Sequence, residues 1–389
     1  MDLSSTNRIQ EKNKIDYIDQ LSNEIAKNLS VPGKHLTMGV IIPAKNESET
    51  ILETLTSLKI QEDHNSVLID KEFYEVLILC HNCNDNTFEI CTKFSKENSD
   101  INLHILELNS EVANTVGAAR RVLMNIASSR LNRNGLIIST DADTIPDKKW
   151  LFNLSHYINQ DISLICGLIN VNLQNLAPQT QKYLAAKDEY LLLKARFESE
   201  ILPNEFDPWP RHSYNWGPNL AIRNQVYKAV GGINPLHFLE DVDLYNRVVS
   251  SGFKIRHCIN SKVKTSTRID SRCTEGFGAE LRVWTDFEGV AYNVEGLDKL
   301  KSRYKIYNQI KDYFNNPSEV LLKNLCETAF IDKSQLLKMF HESSIPDSMI
   351  IKMEKYLNNC ETWKTHFPNI GVVEACRELN EYFENKEKH

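Results

Sequence analysis

The feature that most restricts the fold is a repeated order of segments: a short apolar run, a polar loop, then a stretch with apolar residues at helical spacing. Residues 38–43 (MGVIIP) are apolar and lead into Ala44-Lys-Asn-Glu-Ser48; residues 49–60 then carry Ile51, Leu52, Leu55 and Leu58 at helical spacing. Residues 74–79 lead into the polar loop 81–87 and a helical stretch to about residue 95. Residues 103–108 precede a helical stretch from about 115 to 129, and residues 135–140 run into Asp141-Ala142-Asp143. Strands alternating with helices of this length imply βαβ units and an α/β fold with a mainly parallel sheet. Ligands of such sheets bind outside the carboxyl ends of the strands. The polar clusters after the first, second and fourth runs are therefore predicted at one edge.

The rest of the chain reads differently. Residues 1–36 form a polar helical pattern, with Ile15, Ile18, Leu21 and Ile25 in register until Pro32-Gly33 ends it. The expectation is a helix packed on the main domain. From residue 164 the pattern is mixed: a strand at 165–173, a helix at 179–199, an aromatic and Pro-rich loop at 202–211, and a strand at 219–223. A turn at Gly231-Gly232 and the carboxylates Glu240, Asp241 and Asp243 follow, opening a helical pattern at 244–249; strand-like runs at 254–257 and 262–264 close the region. After about Trp284 the chain reads as almost wholly helical. The predicted organisation is an N-terminal helical extension (1–36), an α/β domain (37–275) and a helical C-terminal region (276–389), within a length that allows two or three domains.

Composition removes several classes of function. With 45 Lys+Arg against 52 Asp+Glu the net charge is −7, opposite to the basic surplus of a dedicated nucleic-acid binder. No apolar run approaches the roughly 20 residues of a membrane helix, and the N-terminus lacks the apolar core of a signal peptide. The expected location is cytoplasmic, with a peripheral seat on a membrane as the variant. Nine scattered cysteines are expected to be mostly buried, reduced thiols. Cys80 and Cys83 make one CxxC followed by Cys91, without the second pair a structural zinc site needs. Neither GxGxxG nor GxxxxGK[ST] occurs, which excludes dinucleotide-dependent dehydrogenases and P-loop enzymes. A nucleotidyltransferase should carry a Gly-rich loop after the first strand, and residues 43–46 hold no glycine.

Two acidic clusters carry the chemistry. Asp141 and Asp143 end an apolar strand and repel each other unless something positive joins them. A divalent cation does so, and hard oxygen ligands suit Mg²⁺ or Mn²⁺, which keep positions open for substrate phosphates. At residues 240–243 three carboxylates open a helix, where acidic residues also serve as caps; a crowded, partly desolvated carboxylate there suits proton abstraction. Trp209, Tyr214 and Trp216 offer faces on which a sugar ring can stack or which fill a loop core, and Gly217 before the strand implies close backbone approach.

In order, residues 40–47 (VIIPAKNE), 82–87 (NCNDNT), 139–143 (STDAD), 219–223 (NLAIR), Gly231-Gly232 and 240–244 (EDVDL) resemble the inverting glycosyltransferases of family 2, with the GT-A fold, over roughly residues 37–275. The resemblance implies a nucleotide-sugar donor, a UDP-sugar ahead of a GDP-sugar, and Mn²⁺ or Mg²⁺. Pro43, Ala44 and Glu47 would hold the base and ribose, with Asn82 or Asp85 beside the base. Asp141 and Ala142 would face the ribose or the metal, and Asp143 would be the direct metal ligand. Gly117 and Arg120 match a position near the donor diphosphate. Asp241 would be the base that deprotonates the acceptor, and Trp216, Gly217, Asn219 and Glu240 would lie on the acceptor side. A paired aspartate common in the family after the second strand is replaced here by Cys80 or His81 and Asn82. The histidine many relatives place after the catalytic helix is also missing; Thr265, Ser266 and Arg268 stand in that region as groups that could face phosphates, and His257 nearby reads as a core histidine. The helical C-terminal region could cover the acceptor side, form a homodimer or rest on a membrane surface. Two alternatives remain at this level: a retaining GT-A transferase acting on a glycerate-like acceptor, and a non-catalytic nucleotide- or carbohydrate-binding module. The joint presence of Asp141, Asp143 and Asp241 argues against the second.

Overall fold

A computed structural model describes residues 3–171, 176–267 and 292–387, with side chains from residue 13 onward. Its centre is an eight-stranded mixed sheet in the order β3-β2-β1-β4-β7-β6-β8-β5. The strands are β1 (Met38–Ala44), β2 (Tyr74–His81), β3 (Leu103–Leu108), β4 (Leu136–Ser139), β5 (Thr144–Pro146), β6 (Leu164–Val171), β7 (Leu220–Arg223) and β8 (Ile255–Thr265). The helices between them are α1 (Leu3–Lys27), α2 (Ile51–Lys59), α3 (Thr87–Glu97), α4 (Val116–Arg130), α5 (Trp150–Ser155), α6 (Pro178–Ile201), α7 (Asn224–Ala229) and α8 (Glu240–Ser250).

Every residue of β1 and β2 is buried, which is why these segments read as continuous apolar runs rather than alternating ones. β1 pairs in parallel with β2 and β4, and β2 in parallel with β3. β7 then enters antiparallel between β4 and β6, β8 runs parallel to β6, and β5 lies antiparallel on β8. Four of the seven pairings are thus parallel. The two short runs expected at 254–257 and 262–264 form one strand, with a register shift opposite Gly167 and Leu168. Strand β5 and helices α5 and α7 escape a periodicity analysis because none exceeds six residues. Residues 172–173 of the expected sixth strand, and the 275/276 boundary, lie outside the described residues.

The chain divides into two compact units. One draws its described residues from Met1–Gln174, Tyr214–Arg247 and Lys254–Ala279, the other from Asn175–Ser213, Val248–Phe253 and Glu280–His389. The second holds α6 and the helices Leu297–Asn315, Glu319–Ala329, Lys333–His341, Pro346–Asn359, Glu361–His366 and Val372–Glu387. Phe197, Tyr304, Leu325, Met353, Trp363 and Leu379 are in its core. No helix among the described residues is long and apolar enough to cross a membrane. The eight cysteines among them are free thiols, five of them buried.

In the first unit α1 lies against α4, with Ile18 and Ser22 buried in the contact. One side chain fastens the end of α4 and the turn after it: the Asn224 amide donates to Ser128 O, Leu131 O and Asn132 O. At the amino end of β2 a carboxylate is buried completely. Glu75 accepts both arms of Arg130, at 2.8 and 2.7 Å, and lies 3.3 Å from His104 Nε2 on β3. Burial alone would raise the Glu75 pKa, but the bonds from His104 and Arg130 prevail and lower it. Glu75→Gln leaves Arg130 without its counter-charge, and we expect a loss of about 3–5 kcal/mol in urea unfolding.

Candidate active site

The polar loops after β1 and β2 are locked together at the carboxyl edge of the sheet. Asn46 and Asn82 both adopt left-handed backbone conformations (φ 55° and 49°), which Asn tolerates better than most residues. The Glu47 amide donates to Thr87 Oγ1 at 2.7 Å and the Ser48 amide to Asp85 Oδ2 at 3.1 Å. Thr87 in turn donates its hydroxyl and its amide to Asp85 Oδ1. Desolvation would raise the Asp85 pKa, yet the donors from Thr87 and Ser48 outweigh it and hold it at about 2. Asn82 exchanges side-chain bonds with the backbone of Ser110, at 3.0 and 2.9 Å, and so fixes the loop ahead of α4. His81 is buried with Nδ1 2.8 Å from Ala113 O, and desolvation pushes its pKa down to about 4, so the ring is neutral at pH 7. Pro43 and Ala44 are buried at the end of β1, while Glu47 accepts from Thr50 Oγ1 at 2.9 Å. Asn82 and Asp85 therefore shape the floor with their polar atoms.

The two acidic clusters meet through α4. Thr115 caps this helix, its hydroxyl accepting from the Ala118 amide at 3.2 Å. Gly117 in the first turn lets residues 236–240 come close: a Cβ there would stand 2.3 Å from Leu236 O. One turn on, the buried Arg120 donates Nη1 to Glu240 and Nη2 to Asp141. Burial disfavours its charge, but Asp141, Glu240 and Asp241 hold it firmly protonated. Desolvation pushes the pKa values of Asp141 and Glu240 up, against the pull of Arg120. Asp141 thus has a counter-charge from within the chain, supplied by Arg120.

Asp241 is held from the other side. Its Oδ2 accepts the Gly217 amide at 2.6 Å and its Oδ1 the amide of Val242 at 2.7 Å. A Cβ at Gly217 would stand 2.2 Å from Arg120 Nη1, so any larger residue there would displace the guanidinium. Trp216 is half-buried and tilts against Tyr214, ring centroids 4.9 Å apart. Asn219 is buried and its side chain is fully used: it accepts from Trp150 Nε1 at 2.8 Å and donates to Leu168 O and Ser261 O. It ties the start of β7 to α5, β6 and β8. Trp209 belongs to the second unit.

Asp143 lies beside the end of β8. Ser266 Oγ donates to its Oδ2 at 2.6 Å, and Thr144 Oγ1 bonds Thr265 Oγ1 at 3.0 Å. Of the three groups expected to face phosphates, Ser266 bonds Asp143 and Thr265 bonds the adjoining Thr144; Arg268 lies outside the described residues. His257 is buried with its ring 5.9 Å from that of Tyr245. Ala142 is buried and its carbonyl accepts from Thr54. Among the described residues no three His, Cys, Asp or Glu side chains gather closely enough to hold a metal ion by themselves. That donor set fits Mg²⁺ or Mn²⁺ only in the form these ions favour, one protein carboxylate completed by water and substrate phosphates. Sequence reasoning misses Thr87 and Thr144, whose signal is a hydroxyl one or two residues after an aspartate.

Residues 39–230 match the family model described as glycosyl transferase family 2. This stretch, just under half of the chain, contains β1 to β7, Arg120, Asp141 and Asp143, and is similar to the domains of that family. The probable glycosyltransferase YdaM of Bacillus subtilis (strain 168) is 24% identical over 229 residues, 56% of this chain and 48% of that protein. The match thus spans about half the length of that curated relative. Two solved structures align more loosely. The mannosyltransferase PcManGT from Pyrobaculum calidifontis, in complex with GDP-Man and Mn²⁺, is 12% identical with a TM-score of 0.44, covering 95% of each chain. Residues 1–349 of S. aureus TarS, in complex with UDP-GlcNAc, are 14% identical with a TM-score of 0.46, covering 83% of this chain and 92% of that one.

Arg120→Met strands Asp141 and Glu240 in the floor with no cation, and we expect a loss of about 3–5 kcal/mol at neutral pH. Both carboxyls already sit above their ordinary pKa and would rise further, so the folded state holds more protons than the unfolded one as pH falls toward the carboxylate range. Stability therefore recovers on acidification. Urea melts from pH 8 to 5 should show the deficit shrinking.

Proposed function

We propose that the chain transfers a sugar from a nucleotide-sugar donor to an acceptor hydroxyl with inversion of the anomeric centre, Asp241 serving as the general base. The observation that carries this reading is the Arg120 bridge, which draws the segment of Asp241, just beyond the stretch matched to family 2, to the strand end within that stretch that bears Asp141 and Asp143. Glu240 lies 120 positions from Arg120 in the chain, yet this one side chain joins it to Asp141, which supports placing the base and the donor-side acids on one edge of the sheet.

The chemistry follows from what these groups can accept. A carboxylate has about four lone-pair positions. Asp241 uses one on each oxygen for the amides of Gly217 and Val242, which fix its orientation and leave the others for an incoming O–H. As the acceptor oxygen attacks the anomeric carbon, its proton passes to Asp241, the carbon–oxygen bond to the phosphate breaks on the opposite face, and the nucleoside diphosphate departs. One displacement inverts the centre. A divalent cation held at Asp143, Mn²⁺ or Mg²⁺, would supply positive charge to the departing diphosphate. Arg120, occupied by two carboxylates, holds the site together and is not spent on the donor. Pro43, Ala44 and Glu47 would border the nucleotide, over the floor that Asn82 and Asp85 shape. Trp216 and Gly217 would border the acceptor. The donor class is a nucleotide sugar, with UDP-sugars ranked first; the location proposed is the cytoplasm or its membrane surface.

Asp241→Asn should lower transfer by about 10²–10⁴-fold while nucleotide affinity, measured by calorimetry in Mn²⁺, stays within about twofold. Loss of both together would point to misfolding and count against the assignment, and a product of retained anomeric configuration would overturn the inverting step. Asp143→Ala should abolish the Mn²⁺-dependent part of nucleotide binding. Undiminished Mn²⁺ dependence in that variant would remove Asp143 as the ligand.

A further inference from the structure

The N-terminal helix lies outside the matched family domain, yet it reaches the segment that carries Asp241. We infer that Asp19 of α1 is a positioning residue for that base, acting through Arg121; this rests on the role proposed for Asp241.

The argument starts from the segment between β7 and α8. It contains three residues in the left-handed region, Gly231 (φ 79°), Gly232 (φ 77°) and Leu239 (φ 58°). Ile233 is buried beside the double glycine, but the large apolar side chains that follow, Leu236, Phe238 and Leu239, are exposed. Burial therefore anchors the segment at one point only, and polar clamps hold the turn around it. Arg247 donates to Val230 O and Gly232 O, at 2.6 and 2.7 Å, but it belongs to α8 and moves with it. A clamp that fixes the segment relative to the sheet must come from another element. Arg121 is such a clamp: its Nη1 donates to Ile233 O at 2.6 Å and to Gly231 O at 3.2 Å, from α4.

Asp19 orients that guanidinium. It accepts Nε at 2.7 Å and Nη2 at 2.8 Å, a two-point grip that leaves Nη1 aimed at the turn. The same carboxylate accepts from Asn125 Nδ2 at 2.7 Å; Asn125 accepts from Tyr227 OH at 2.7 Å, and Tyr227 O accepts the Gly232 amide at 2.8 Å. Two routes thus run from one carboxylate to the double-glycine turn. Beyond the turn, Leu236 packs on Gly117 and Glu240 meets Arg120, so the neighbouring arginines of α4 grip both ends of the segment leading to Asp241. Asp19 is a bystander to the reaction, but the turn that aims Asp241 is set by it.

The test uses the full chain with Asp19→Asn, which keeps the volume and removes the charge. Hydrogen–deuterium exchange should rise at least about threefold in residues 231–236 and at the Gly217 amide, which reports the Asp241 carboxylate, but not in β1. Release of nucleoside diphosphate from a panel of UDP- and GDP-sugars in Mn²⁺ should fall about three- to tenfold in kcat, with nucleotide Kd within about twofold. Asp19→Glu, which keeps the charge, should recover at least about half of the exchange protection. Unchanged exchange at Gly217, or a rise no larger than that in β1, overturns the inference. If Asp241→Asn abolishes release and Asp19→Asn leaves it intact, the positioning role alone falls. If Asp241→Asn leaves release intact, the base assignment falls instead, and the exchange pattern still decides whether Asp19 holds the turn.

Discussion

The first unit depends on a buried cation. Arg120 sits between carboxylates from two elements, after β4 and at the start of α8, and neither could stay in the floor of the site without it. Removing charges from water is expensive, and a buried pair survives when its hydrogen bonds are complete. Here the arrangement is specific because the backbone has been cleared around it: Gly117 admits Leu236 and Glu240, and Gly217 admits the guanidinium itself. Two glycines and one arginine therefore determine where α8 begins. The acidic residues of its first turn also suit a helix N-terminus, so local capping and long-range pairing favour the same placement.

Much of the fold is legible in the sequence, for a physical reason. β1, β2 and β4 are buried and are apolar except where a polar side chain has a partner, as Glu75 has in Arg130, or stands at a strand's end, and the helices between them must be long enough to cross over. What periodicity could not supply was β5, α5 and α7, which are too short to establish a period, and the antiparallel entry of β7, since a four-residue strand carries no mark of direction. Leu52 has helical spacing yet points outward, because α2 needs only part of its apolar residues for packing.

The site was legible in outline and less so in its wiring. Acidic residues at strand ends announce themselves by sequence, and the ordered set of motifs placed Asp141, Asp143 and Asp241 together. The partner of Arg120 did not, because an arginine on a helix face gives no hint of a carboxylate 120 residues away. Asn219 is similar: nothing in its sequence setting announces its bonds to Trp150, Leu168 and Ser261.

The interlocked loops after β1 and β2 carry one consequence for ligand selection. The main-chain donors of Glu47 and Ser48 are already taken by Thr87 and Asp85. A purine or pyrimidine ring resting above them would find no vacant N–H from those two residues. For a nucleotide seated there, as proposed, telling uracil from guanine would fall to carbonyl oxygens and side chains around the rim, groups that can drift through mutation without disturbing the scaffold below.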